Sequence, residues 1–196
     1  MEAFGIIAGS GWAAGINLYL VTLLLGVAGR LGWTDLPTVL SRTDVMILAG
    51  VLFGIEFFAD KVPYFDSVWD AIHTVVRPLG AAALGAVIAG DSASIGVALG
   101  AAVAGALALD AHAAKATTRV VANTSPEPVS NIALSLLEDV GVTLLVVLAI
   151  TFPLITVIVV SILVVAATTI TIMLWKVARR AWRRVGDWLG ARTAAT

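Results

Sequence analysis

Long apolar stretches alternate with short polar intervals along this chain. A bilayer-crossing helix needs about 20 mostly apolar residues, and the pattern predicts six such helices. The first covers Phe4 to Ala28 and the second, rather short, Asp44 to Ala59. A third starts from N-cap candidates Asp66 and Ser67 and reaches Ala89, with Pro78 predicting a kink. The fourth runs from Ile95 into the polar stretch Asp110 to Arg119, the fifth covers Val129 to Ile150, and the sixth, after a break at Pro153, Leu154 to Trp175. Between them lie a polar connection from Gly29 to Thr43, a turn at Asp60 to Asp66 containing Pro63, a tight turn at Gly90, Asp91 and Ser92, and the loop Asn123 to Pro128 (NTSPEP).

Composition agrees with this pattern. Of 196 residues, 60% are hydrophobic and 13% charged, against roughly 45–50% and about 25% in soluble domains. A soluble enzyme is excluded, and the absence of cysteine excludes a disulfide scaffold and any thiol chemistry. The predicted fold is therefore all-α: a polytopic membrane helix bundle over 1–175 with a cytoplasmic basic amphipathic tail over 176–196.

No Lys or Arg precedes the first apolar segment, so it reads as a retained span rather than a signal peptide. Gly9, Ser10, Gly11 and Gly15 either break this helix or form a small-residue packing face, and the unbroken face is the preferred reading. The net charge of -1 hides an asymmetry: Lys176, Arg179, Arg180, Arg183, Arg184 and Arg192 put six of the twelve cations in the last 21 residues. With Trp182, Val185, Trp188 and Leu189 interleaved, the tail reads as an amphipathic helix on an anionic membrane surface, with membrane lipids as partners and no nucleic acid. Its charge places it in the cytoplasm of an inner-membrane protein. Six spans then put the N-terminus there too, with Arg30 and Arg42 outside and Lys61, Lys115, Arg119 and the tail inside. Five or seven spans stay open because of the first segment.

This topology gathers fourteen titratable residues toward the inner side: Glu56, Asp60, Lys61, Asp66, Asp70, His73, Arg77, Asp110, His112, Lys115, Arg119, Glu127, Glu138 and Asp139. Eight are acidic and four basic. Asp66, Asp70, His73 and Arg77 share one helical stripe, as do His112, Lys115 and Arg119, and Glu127, Asn131, Ser135 and Glu138. A charge facing lipid costs on the order of 2.5–3.5 kcal/mol at the helix centre, so the stripes are expected to face one another. The expected polar cavity comprises Asn17, Glu56, Asp60, Asp70, His73, Arg77, Asp110, His112, Lys115, Asn131, Glu138 and Asp139. Both Arg77 and Glu138 lie roughly 15 Å along their helices from the same side, which pairs Arg77 with Glu138 or Asp139 and Lys115 with Glu56 or Asp60.

Carboxylates with histidine and one deep arginine suit handling of a small solute, cation or proton, and transport or permeation is the preferred function. The second class is a metal-dependent membrane enzyme acting on a lipid, with Asp66, Asp70 and His73 as candidate ligands. The third is a lipid-binding scaffold. No residue is assigned a catalytic role, and no cofactor follows from the residues. Gly50 with Gly54 and Gly96 with Gly100 have GxxxG spacing, read first as internal packing and second as a homo-oligomer face.

EFFADKVPYFDSVWDAIHTVVRP (Glu56 to Pro78), SGWAAGINLYL (Ser10 to Leu20), GRLGW (Gly29 to Trp33) and NTSPEPVSNIALSLLEDV (Asn123 to Val140) together resemble the bacterial membrane family catalogued as domain of unknown function 4126. The resemblance extends from Ser10 to Arg184. It implies an integral inner-membrane protein and carries no activity, substrate or catalytic residue with it.

Overall fold

The computed structural model describes residues 2–62, 65–90, 95–123 and 128–193. Within them the chain forms six α-helices and no strand: α1 (Glu2–Arg30), α2 (Thr43–Ala59), α3 (Phe65–Ala89), α4 (Ile95–Ala122), α5 (Pro128–Thr151) and α6 (Pro153–Thr193). All but α2 are long and apolar enough to cross a membrane. The 17 residues of α2 reach about 25 Å at about 1.5 Å per residue. The expectations for Pro63, Asp91, Ser92 and 124–127 lie outside the described residues. Helix α3 starts at Phe65, so Asp66 and Ser67 occupy its first turn rather than its cap, and it continues as one helix through Pro78.

Helices α3 and α4 are antiparallel neighbours. Gly85 lies against Gly100, Gly105 against Pro78, and Thr74 reaches His112. In lipid no hydrophobic force draws helices together, so small residues that let backbones touch do much of this work. The Gly100 motif is thus used inside the protein, whereas Gly50 and Gly54 on α2 have no neighbour within 4 Å of where a Cβ would sit.

The path of α1 departs from the sequence reading. Asn17 has φ −147° and ψ 94°, an extended residue in the middle of the helix. Before it, Gly5 packs on Pro153, Gly11 on Ala104 and Gly15 on Ala108, so the first half runs parallel to α4. After it, Leu18 packs on Gly80, and Leu18, Tyr19 and Thr22 share a pocket with Gly80, Leu84 and Val87 on the way to the C-terminal end of α3. Gly26 then meets Leu40 and Met46 where α2 begins. Because α3 opposes α4, the second half of α1 runs back against the first. Helix α1 is therefore a hairpin of two half-helices with Asn17 at its tip, and both its ends lie at the Ile95 end of α4. The break falls at Asn17 and not at the glycines, which form the expected packing face.

From there α2 runs toward the Ala122 end of α4, α3 returns, and α4, α5 and α6 complete the bundle. The start of α6 lies beside Gly5, so its basic continuation emerges at the Ala122 end. The first residues of α1 and the tail are consequently at opposite ends, where six full crossings would have put them together. Helix α6 continues through Trp175 to Thr193 without interruption, so no turn separates the last span from the tail. Helix α1 touches every other helix, while Ile47, Phe58, Leu79 and Ile158 turn their side chains outward, as a lipid-facing surface requires.

A cysteine-free chain makes the hairpin directly testable. Ala3→Cys and Arg180→Cys should be labelled by an impermeant maleimide from opposite sides of sealed vesicles; labelling from one side would restore a crossing α1. Gly15→Val, which meets the Ala108 backbone, should lower stability by about 1–3 kcal/mol in detergent melts. Gly54→Val should change it by less than about 0.5 kcal/mol.

Candidate functional site

Three cations tie the polar stripes together. Arg77 of α3 is fully buried, and a buried charge is tolerated only when paired and hydrogen-bonded. Its Nη2 donates to Glu56 Oε1 on α2 at 2.6 Å, and its Nη1 donates to Asp70 Oδ1 at 3.0 Å and to His112 Nδ1 at 2.7 Å. Lys115 of α4 donates to Asp60 Oδ2 at 2.6 Å and to the Ile16 carbonyl at 3.1 Å, with Glu138 at 3.5 Å and Glu56 at 3.8 Å. One turn on, Arg119 grips Glu138 of α5 with two nitrogens, Nε at 3.3 Å and Nη2 at 2.5 Å, the forked geometry that makes arginine–carboxylate pairs strong. Its Nη1 donates to the Asp60 carbonyl at 2.7 Å and so closes the last turn of α2.

The hairpin tip fits into this network. Where α1 breaks, the Ile16 carbonyl ends the first half-helix, and Lys115 places its positive charge at that negative dipole end. Asn17 Oδ1 accepts from the Leu20 amide at 2.9 Å, a side-chain cap for the second half-helix of the kind asparagine makes well. Asn17 Nδ2 donates to Asp139 Oδ1 at 3.0 Å, drawing a carboxylate toward the positive end of that half-helix. The freed backbone is thus served by protein groups, the condition under which a membrane-embedded helix can be interrupted.

At the Ala122 end the network continues through amides. Asp66 accepts from Asn123 Nδ2 at 3.0 and 3.1 Å, and Asn131 Nδ2 donates to Asn123 Oδ1 at 2.6 Å. Lys61 donates to Ser135 Oγ at 3.1 Å and stands 3.0 Å over the Phe57 ring. Toward the other side, Tyr19 Oη lies 2.9 Å from His73 Nε2, and Thr74 Oγ1 lies 3.0 Å from His112 Nε2.

Of the residues singled out from the sequence, Asn17, Glu56, Asp60, Asp70, His73, Arg77, His112, Lys115, Glu138 and Asp139 lie in or against this network, and Asn131 joins its edge. Asp110 does not. It sits on another face of α4, accepting from Trp12 Nε1 at 3.3 Å and Thr168 Oγ1 at 2.7 Å. Lys115 meets Asp60 as expected, but Arg77 pairs with Glu56 and Asp70 and not with Glu138 or Asp139. The physical reason is the hairpin: α1 packs between α3 and α5, so Asp139 is taken by Asn17 and Glu138 by Arg119. Arg119, Tyr19 and Thr74, together with Lys61, Asp66, Asn123 and Ser135 at the Ala122 end, were missing from the expected site. Arg119 sits one turn beyond Lys115 on the same stripe, and Thr74 falls between Asp70 and Arg77, so spacing held that information; Tyr19 required the fold.

The charges interlock by direct contact. Two pockets flank them: one of ≈ 280 Å³ bordered by Leu18, Tyr19, Leu52 and Leu84, and one of ≈ 630 Å³ bordered by Trp12, Ile16, Leu145 and Glu138. Among the described residues the network holds six carboxyls (Glu56, Asp60, Asp66, Asp70, Glu138, Asp139) and, counting Lys61, four cations. Glu56 Oε2, Asp60 Oδ1, Asp70 Oδ2 and Asp139 Oδ2 are buried without a hydrogen-bond partner. No three His, Asp or Glu side chains among the described residues are grouped to hold one metal ion.

Apolar helices enclosing a shared ion network define a polytopic α-helical integral membrane protein. The chain belongs to the family described as Domain of unknown function (DUF4126), whose profile matches residues 4–173. No curated protein and no solved structure matches it.

Removing one member of a buried pair leaves the other uncompensated, at about 3–5 kcal/mol. Arg77→Met should therefore lower stability in detergent by that amount. Adding Glu56→Gln to it should recover part of the loss, a non-additivity read from a double-mutant cycle.

Proposed function

We propose that the protein moves a small solute across the inner membrane, coupled to a proton or another small cation, with the tip of α1 and its ion network as the site. The observation that carries this reading is the break at Asn17 beside a buried excess of carboxyls. Membrane transporters place discontinuous helices near the midplane because opposed half-helix ends offer backbone groups and dipoles to charged cargo. Here one half-helix end faces Lys115 and the other faces Asp139 through Asn17. Intramembrane ionisable residues are functional candidates by default, and carboxyls in excess over cations call for a proton or cation to balance them.

In this reading the basic continuation of α6 marks the cytoplasmic end, which places the Ala122 end of α4 inside and the start of α1 outside. The reading as a metal-dependent lipid enzyme draws less support, because Asp66, Asp70 and His73 face three different partners, Asn123, Arg77 and Tyr19. Purified protein in liposomes carrying an internal pH dye tests transport. An imposed pH gradient should dissipate faster than in empty liposomes, in a way that depends on the solute supplied, and Asp139→Asn should return the rate to the empty-liposome level. Equal rates with and without protein, over a panel of small cations, would refute the proposal.

A further inference from the structure

We propose that His73 Nε2 is the atom that takes up the coupling proton, and that Tyr19, on the returning half of α1, is the group that responds. The word coupling rests on the transport reading above. The protonation site itself rests on hydrogen-bond geometry.

The chain has two histidines, and their partners fix opposite tautomers. At His112, Nδ1 lies 2.7 Å from Arg77 Nη1. A guanidinium nitrogen only donates, so this Nδ1 offers its lone pair and the ring proton sits on Nε2. That proton is donated to Thr74 Oγ1 at 3.0 Å, whose own hydrogen goes to the Asp70 carbonyl at 3.0 Å. A second proton on His112 would set two donors face to face at 2.7 Å. Arg77 therefore holds His112 neutral.

His73 is arranged the other way. Its Nδ1 lies 2.7 Å from the Trp69 carbonyl, which only accepts, so Nδ1 carries the proton and Nε2 the lone pair. Tyr19 Oη, at 2.9 Å, donates to that lone pair. When a proton bonds to Nε2 the ring becomes an imidazolium. The Tyr19 hydroxyl then turns to present a lone pair, and no heavy atom needs to move because a phenol both donates and accepts. The Trp69 ring stacks on His73 with centroids 4.5 Å apart, a π face that favours a cation.

Tyr19 of α1 touches this ring, and charges of both signs lie near enough to act on it, Asp70 and Arg77 of α3 and Lys115 of α4, with His112 of α4 nearby and Glu56 of α2 acting on Tyr19. Proton uptake at His73 thus adds a charge beside the Arg77 hub. Tyr19 also borders the ≈ 280 Å³ groove between α1, α2 and α3, so a change in its hydroxyl is transmitted to the half-helix and to the groove wall together.

Nitrogen NMR of the full chain, labelled with ¹⁵N-histidine in lipid nanodiscs, tests this, with the two rings assigned by His73→Gln and His112→Gln. His73 should show an Nδ1–H tautomer at high pH and gain a second proton as pH falls, while His112 stays Nε2–H over the same range. His112 titrating with or before His73, or an Nε2–H tautomer at His73, would overturn the assignment. Should His73→Gln not fold, Tyr19→Phe keeps both rings; it should move the His73 midpoint by roughly half a unit or more and leave His112 in place, and movement of His112 alone counts against the proposal. The flux assay separates the two readings. His73 titrating as described in a protein that shows no gradient-dependent flux would sink transport and leave the proton site standing. Undiminished flux in His73→Gln would sink its coupling role alone.

Discussion

Arg77 has no surface exposed and cannot lose its proton in a protein, so the bundle must surround a permanent charge with acceptors. That requirement fixes more of the structure than any apolar contact does. Glu56 has to arrive from α2, Asp70 from about two turns earlier on α3, and His112 from α4, all within hydrogen-bond reach of one guanidinium. Once Glu56 is in place, Asp60 lies one turn on and meets Lys115; Lys115 then reaches the broken end of α1, and Arg119 links α2 to α5. Because lipid supplies no hydrophobic drive for helix association, this chain of charges and the glycine contacts of α1, α3 and α4 carry the specificity of assembly together.

The hairpin and the network depend on each other. An interrupted helix inside a bilayer leaves amides and carbonyls without partners, each costing several kcal/mol if unmet. At Asn17 the missing partners come from a lysine, from the asparagine itself and, at one remove, from Asp139. Lys115 in turn needs more acceptors than its carboxylate neighbours supply in good geometry, and the Ile16 carbonyl provides one. Neither a broken α1 without Lys115 nor Lys115 without the freed Ile16 carbonyl would be fully satisfied, which gives a physical reason for both to occur in one protein.

Much of the architecture could be read from the residues before the fold was known. Helix positions followed from hydropathy to within a few residues, because lipid imposes a minimum length and excludes charge from most of each span. That the polar stripes would converge followed from the cost of facing a charge outward. The partner of Arg77 could not be found in this way. Counting residues from helix ends gives depth but not azimuth, and the identity of the neighbouring helix was decided by the reversal of α1. That reversal hangs on one extended residue in an apolar run, where Asn17 looks like any interhelical hydrogen-bonder and the nearby glycines look like better breakers. Spacing reveals a face, whereas a single backbone angle redirects the thirteen residues that follow it.

The attachment of α2 has a consequence for motion. Within the helix only Ala49, Glu56 and Ala59 are buried, and its two glycines face open space, so most of its length is bordered by lipid and by the apolar groove. Its ionic anchorage is confined to the C-terminal end, at Glu56 and Asp60, whereas its start rests on α1 through Met46 and Gly26. A helix moored at one end by charges responds to whatever alters those charges. Neutralising a single carboxyl there would loosen that end of α2 and at the same time leave Arg77 or Lys115 short of an acceptor, so the hold of α2 on the bundle follows the charge state of the network.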